Sequence, residues 1–128
     1  KKKIMGTYAN SKLVMLYFQT GDGVNDGANE GYAAPLSSFR GFSFIADTDA
    51  VEMEFDSMLG TGADIAAVDK VVLNITAAKQ KQVIRDITQA INGMKFGDGF
   101  ITVADDENSV YLSSNITSCG AITVTAAA

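Results

Sequence analysis

The chain has 128 residues, a formal net charge of −5, one cysteine and no histidine. This length suits one domain, which we expect to span residues 1–128 and to bury about two-thirds of its unfolded surface. Without histidine, general acid–base catalysis and most transition-metal sites lose their commonest side chain, so we expect no enzymatic activity, no metal and no cofactor. The acidic balance, with no basic stripe among the aromatic residues, disfavours nucleic-acid binding.

Two features define the first residues of the chain. Lys1, Lys2 and Lys3 form a basic run, and we predict a solvated, flexible tail over residues 1–10. The apolar run at residues 12–19 is rich in β-formers and too short to span a bilayer, so it predicts a strand buried on both faces and no membrane partner. We expect this strand to lie in the middle of a sheet.

Residues 20–35 are rich in glycine, aspartate and asparagine and close at Pro35. We predict a long loop here, and a long loop in a compact domain is commonly functional. Its glycine spacing differs from that of a dinucleotide-binding loop, and its carboxylates would repel a phosphate. The same oxygens suit a cation, so our alternative function is a small binding module whose 20–35 loop holds a cation or ligand. The candidate ligands are Asp22, Asn25, Asp26, Asn29 and Glu30.

The next two segments, residues 36–46 and 51–58, predict a hairpin. In the second segment, apolar residues at 51, 53 and 55 alternate with acidic ones, which is the period of a half-exposed antiparallel strand. We interpret the acidic row as a solubilising face rather than a glycosidase carboxylate pair. The row consists of Glu52, Glu54 and Asp56. A further strand is predicted over residues 68–76.

An amphipathic helix follows this strand. Apolar residues recur at three- and four-residue intervals from Val83 to Met94, with charged and polar residues on the opposite face. Thr76 is the predicted cap at the start of the helix, and Gly93 is the predicted left-handed residue after its end. The lone Cys119 is predicted to pack as a small hydrophobe. The remaining predictions are a polar turn at 105–108 and strands at 100–104, 109–113 and 121–125.

These elements predict an α+β fold with about seven largely antiparallel strands, arranged as a sandwich or open barrel with one helix packed on one side. Four tyrosines and seven phenylalanines exceed what one helix over a small sheet must bury. Some of them are therefore predicted to form a subunit interface, where aromatic anchors are enriched. The candidates are Tyr32, Phe39 and Phe96. We expect a homo-oligomer, either a trimer or a larger ring.

The end of the chain resembles a known class of proteins. A helix over residues 82–93, a strand and acidic turn over 100–106, and a Thr/Ser/Gly-rich strand over 116–122 look like small virion proteins of marine tailed bacteriophages. The resemblance implies a non-enzymatic, multi-copy structural subunit, such as a capsid decoration or tail protein. It also implies contacts with other virion proteins and a location in the virion after assembly in the host cytoplasm.

Overall fold

The computed structural model describes residues 13–21, 30–46, 48–58, 67–93 and 98–125. In these ranges the protein has an α+β fold with eight strands, one α-helix and a single 3-10 turn at Leu36–Ser38. The strands and the helix are β1 (Met15–Gln19), β2 (Gly31–Pro35), β3 (Phe39–Phe44), β4 (Ala50–Asp56), β5 (Val68–Ile75), α1 (Gln80–Gly93), β6 (Phe100–Asp105), β7 (Val110–Tyr111) and β8 (Ile116–Thr123).

The strands form two four-stranded sheets. The first sheet has the order β2-β1-β6-β7, and the second sheet has the order β3-β4-β5-β8. Every pairing is antiparallel except that of β1 with β6, which is parallel. Buried residues of both sheets and of α1 belong to one hydrophobic core. The predicted α+β class and the largely antiparallel sandwich with one helix are therefore confirmed.

The second sheet follows the predicted alternation. Val51, Met53 and Phe55 of β4 are fully buried, whereas the acidic residues between them are half-buried or exposed. An ion pair joins Arg40 Nε to Asp56 Oδ1 at 3.6 Å, and both side chains are exposed. The predicted hairpin is confirmed, because β3 and β4 pair directly.

Aromatic rings join the two sheets across the core. Phe18 of β1 contacts Phe55 edge-on at a centroid distance of 5.8 Å, and Tyr32 of β2 contacts the same ring at 5.5 Å. The predicted central position of β1 is confirmed, since it lies between β2 and β6. Its burial on both faces was wrong: Leu16 and Phe18 face the core, while Met15 and Tyr17 are half-buried on the opposite face.

The helix buries one stripe, as predicted. Val83 and Ile87 are fully buried in the shared core. The predicted ends were wrong. The helix begins at Gln80, because a turn comes first in which the Thr76 carbonyl accepts a hydrogen bond from Lys79 N at 3.1 Å. At the other end, Gly93 is itself helical and is not a left-handed residue after the helix.

Three other boundaries differ from the prediction. Residues 31–35 of the predicted 20–35 loop form β2, because Tyr32 and Ala34 turn into the core while the backbone pairs with β1. The strand predicted at 109–113 is reduced to Val110–Tyr111, and the strand predicted at 121–125 is the longer Ile116–Thr123. The tail predicted at 1–10 and residues 22–29 of the loop lie outside the described residues.

Candidate functional site

A group of polar residues holds together the end of β1 and the start of β2. Gln19 is buried, and its Nε2 atom donates hydrogen bonds to the carbonyls of Thr20 at 2.8 Å and Glu30 at 3.0 Å. The Thr20 amide donates to the same Glu30 carbonyl at 2.8 Å. Tyr17 Oη donates to Gln19 Oε1 at 2.6 Å and fixes the orientation of the amide. These bonds join Thr20 to Glu30, and so they close the part of the predicted 20–35 loop that precedes β2.

The turn after β6 is held by a buried carboxylate. Asp105 Oδ1 accepts hydrogen bonds from the amides of Glu107 at 3.0 Å and Asn108 at 3.2 Å. Its Oδ2 atom accepts a third from Asn108 Nδ2 at 3.0 Å. An aspartate that bonds the backbone two residues on is a typical turn former. The polar turn predicted at 105–108 is confirmed, and Asp105 is the residue that closes it.

The next carboxylate connects the two sheets. Asp106 Oδ1 accepts a hydrogen bond from Tyr111 Oη at 2.7 Å and another from the Cys119 amide at 2.8 Å. The Asp106 amide donates to the Gln19 carbonyl at 2.8 Å. Asp106 therefore joins β1, the β6–β7 turn and β8. The amide of Cys119 faces this carboxylate instead of another strand.

The thiol of Cys119 and the hydroxyl of Tyr111, which lie next to Asp106, both have raised pKa values. Burial raises the pKa of the Cys119 thiol to about 12, and the negative charges of Asp106 and Asp105 add to the effect. Burial and the hydrogen bond to Asp106 raise the pKa of Tyr111 to about 12. A thiol with this pKa is protonated at neutral pH, and only the thiolate is a good nucleophile. The predicted packing role of Cys119 is confirmed by its burial.

An open cleft of about 510 Å³ lies beside these residues. Thr20, Gly21 and Glu30 line one side, and Asp106 and residues 119–122 line the other. Among the described residues, Glu30 Oε1 is the one buried side-chain oxygen or nitrogen without a hydrogen-bond partner. The cleft therefore lies between β8 and the residues of the predicted loop that flank positions 22–29, and its lining includes both carboxylate and apolar side chains.

The cation hypothesis concerns residues on both sides of the described boundary. Glu30 is described, whereas Asp22, Asn25, Asp26 and Asn29 lie outside the described residues. In the part of the chain that is described, no group of three or more histidine, cysteine or acidic side chains is placed to hold a metal ion. The cation site stays a prediction. Within the same ranges, no helix has the length and apolarity needed to cross a bilayer.

Asp69 is a buried carboxylate that the sequence analysis missed. Its Oδ2 atom accepts hydrogen bonds from Tyr32 Oη at 2.8 Å and the Met58 amide at 3.1 Å. Its Oδ1 atom accepts a third from the Thr125 amide at 3.0 Å. Burial, followed by the bond to Asp69, raises the pKa of Tyr32. The sequence does contain a signal for the burial of Asp69. Residues 69 and 71 lie two positions apart in a strand, so Asp69 shares the face of the buried Val71.

Two of the three predicted interface aromatics lie within the described ranges, and they differ in burial. Tyr32 is only 4% exposed, so its assignment to an interface was wrong. Phe39 is half-buried and contacts the rings of Phe42 at 5.0 Å and Phe55 at 5.4 Å. Phe96 lies outside the described residues. The exposed aromatic of this region is instead Phe44, at the end of β3, with 62% of its side chain accessible.

Comparisons with known proteins found no relative of this chain. No family model, no curated protein and no solved structure matches this chain. The resemblance to phage virion proteins therefore remains a prediction from the sequence.

Proposed function

We propose that this protein is a non-enzymatic structural subunit that forms a homo-oligomer, a trimer or larger ring, in a phage virion. The observation that carries the proposal is β3, an edge strand of the second sheet. The one charged residue of β3, Arg40, forms an ion pair with Asp56 of the same chain, the strand contains no proline or carboxylate, and Phe44 at its end is largely exposed. An edge strand with so little charge and no proline can pair with a strand of another chain. A virion protein made in many copies uses such an edge for assembly.

The polar residues in and beside the cleft support a structural role. Gln19 fixes the two ends of a segment, Asp105 closes a turn, and Asp106 joins the sheets. In each case the polar group stabilises the backbone. The one thiol is protonated at neutral pH because its pKa is raised to about 12. Nucleophilic catalysis needs the opposite, a thiol or hydroxyl activated by a neighbouring base.

The experiment that tests the proposal is a measurement of native mass by light scattering at high micromolar concentration. We expect three or more copies per particle. An interface that holds such a particle together should bury about 1,000 Å² or more of total surface. A monomer at this concentration, with no partner added, would refute the self-assembling subunit. Assignment as a capsid decoration or tail protein is tested separately, by binding of the purified protein to capsids or tails that lack it.

The second candidate function is a small binding module whose 20–35 loop holds a cation or ligand. The observation that favours it is the position of the cleft, because Gly21 and Glu30, which flank the undescribed part of the loop, both line it. The unpartnered Glu30 Oε1 adds an oxygen of the kind that calcium prefers.

Calcium titration tests this second function. A ligand that binds only the folded state at about 100 times its Kd raises the free energy of unfolding by about 2.7 kcal/mol. We therefore expect added calcium to raise the melting temperature, and Glu30→Gln to reduce that rise. Glu52→Gln, on the outer face of β4, is the matched control and should leave the rise unchanged. No rise in melting temperature with calcium would refute the cation form of the module.

A further inference from the structure

The four edge strands of the sandwich differ in how they are protected. β2 ends in Pro35, which has no amide hydrogen to donate. β7 has only two residues. The amide of Cys119 in β8 already donates to Asp106. β3 has six residues and none of these three protections within the described ranges, and its bulge between Phe39 and Gly41 leaves residues 41–44 in regular register.

The core-facing side of β3 is aromatic and extends out of the core. Phe42 lies opposite Met53 and Phe44 lies opposite Val51, so both phenylalanines share the face of these buried residues. Phe42 is half-buried against Phe39, whereas Phe44 is 62% exposed. The apolar surface of the core therefore continues along β3 into solvent.

The opposite face of β3 has the small residues Gly41 and Ser43 and one charged residue, Arg40. Gly41 and Ser43 lie on the side of the acidic residues of β4. The charged residue of β3, Arg40, forms an ion pair with Asp56 of the same chain. Two copies of an acidic protein repel each other. This repulsion is weaker where β3 strands meet, because β3 contains no aspartate or glutamate. A second β3 strand can therefore come close without opposed like charges.

We propose that β3 of one copy pairs antiparallel with β3 of a second copy across a two-fold axis at Ser43. In this register Phe42 of each copy lies opposite Phe44 of the other, which makes two aromatic cross-strand pairs. The second sheets of the two copies join into one continuous sheet. A two-fold contact is self-complementary, so one surface serves both copies. Pairing of β3 with β8 of a neighbour would instead compete with Asp106 for the Cys119 amide.

This inference rests on the proposed function, and it selects assemblies with an even number of copies. The first test is Phe44→Lys, which places a charge on the edge at a side chain that is already largely exposed. We expect the native mass to fall to half while the melting transition stays cooperative. Val110→Lys is the matched control: this residue is 47% exposed and lies on an edge strand of the first sheet. Its native mass should not change.

The second test is a covalent link at the proposed axis. Directly opposed residues of an antiparallel pair have Cβ atoms about 4.5–5.5 Å apart, close enough for a disulfide after small adjustment. In a Cys119→Ala background, Ser43→Cys should form a disulfide-linked dimer on mild oxidation. Thr117→Cys, an exposed position on β8, is the control and should stay unlinked.

The outcomes separate the two proposals. A monomeric wild-type protein overturns both the structural-subunit function and the β3 pairing. An oligomer with an odd number of copies overturns the pairing alone. So does an oligomer whose mass is unchanged by Phe44→Lys and which Ser43→Cys does not link. A halved mass together with the specific Ser43→Cys link supports both proposals.

Discussion

Removal of the Asp69 carboxylate tests how the two sheets are held together. Asp69 is fully buried on β5 of the second sheet, and it accepts a hydrogen bond from Tyr32 of the first sheet. The variant Asp69→Ala deletes the acceptor and leaves the Tyr32 hydroxyl inside the core without a partner. We expect a large loss of stability without loss of the fold, because the surrounding apolar core remains.

The size of the loss follows from the three bonds that Asp69 accepts. The amides of Met58 and Thr125 are partly exposed, so water can replace the carboxylate at these two positions. The Tyr32 hydroxyl is buried, and an unsatisfied buried group costs about 1–3 kcal/mol, with bonds to charged groups at the upper end. We therefore expect Asp69→Ala to lower the free energy of unfolding by about 2–4 kcal/mol. For a domain of this size that is roughly 10 °C in Tm.

The assay is urea unfolding followed by far-UV circular dichroism. Tyr32→Phe should cost about 1–2 kcal/mol, because the carboxylate keeps its two amide donors. The double variant should cost less than the sum of the two single variants, since both remove the same bond. The matched control is Asp56→Ala, an exposed carboxylate in one surface ion pair, with an expected cost below about 1 kcal/mol. Equal costs for Asp69→Ala and Asp56→Ala would refute the reasoning.

Three further predictions concern the helix, two glycines and the buried thiol. Ile87→Ala should lower the free energy of unfolding by about 2–4 kcal/mol because it opens a cavity in the core, whereas the exposed Gln89→Ala should change it by less than about 0.5 kcal/mol in the same urea assay. Gly99→Ala should lower Tm, since its φ is +80° and a Cβ would collide with a backbone carbonyl, whereas Gly93→Ala meets open space and should be neutral or stabilising. Burial raises the pKa of Cys119 from 9.0 to about 12, so the folded state binds this proton more tightly than the unfolded state. The contribution of Cys119 to stability should therefore be constant below about pH 8 and be lost between about pH 9 and 12 in urea titrations at each pH. Cys119→Ala should make the fall of stability in this range shallower, and an unchanged slope would contradict the assignment.

The parts of the fold that the sequence predicted correctly depend on local periodicity. Val51, Met53 and Phe55 alternate with acidic residues over seven residues, and this parity is enough to place one face of β4 in the core. The helical stripe with Val83 and Ile87 is equally local. In both cases the neighbouring residues in the chain carry the signal, so no knowledge of the partner strand is needed.

The parts that were missed depend on contacts between distant residues. β2 consists of Gly, Tyr, Ala, Ala and Pro, which have little strand propensity as a group. It becomes a strand because β1 pairs with it and because Tyr32 reaches Asp69 of the other sheet. The Asp106 bridge to Cys119 likewise needs the sheets to be in place first. Of these features, only the burial of Asp69 could be predicted locally, because Asp69 lies two residues before Val71 and therefore on the same face of the strand.

The parallel pairing of β1 with β6 also determines when the first sheet can be completed. Met15 lies opposite Phe100, so β1 receives its second neighbour only after β3, β4, β5 and the helix have been synthesised. Until then the β1–β2 hairpin has an open edge along β1. Pairings over such long sequence separations slow folding, and uncovered edges of intermediates favour aggregation. A nascent or shortened chain that ends before β6 should therefore need chaperone protection, although most of its second sheet can already form.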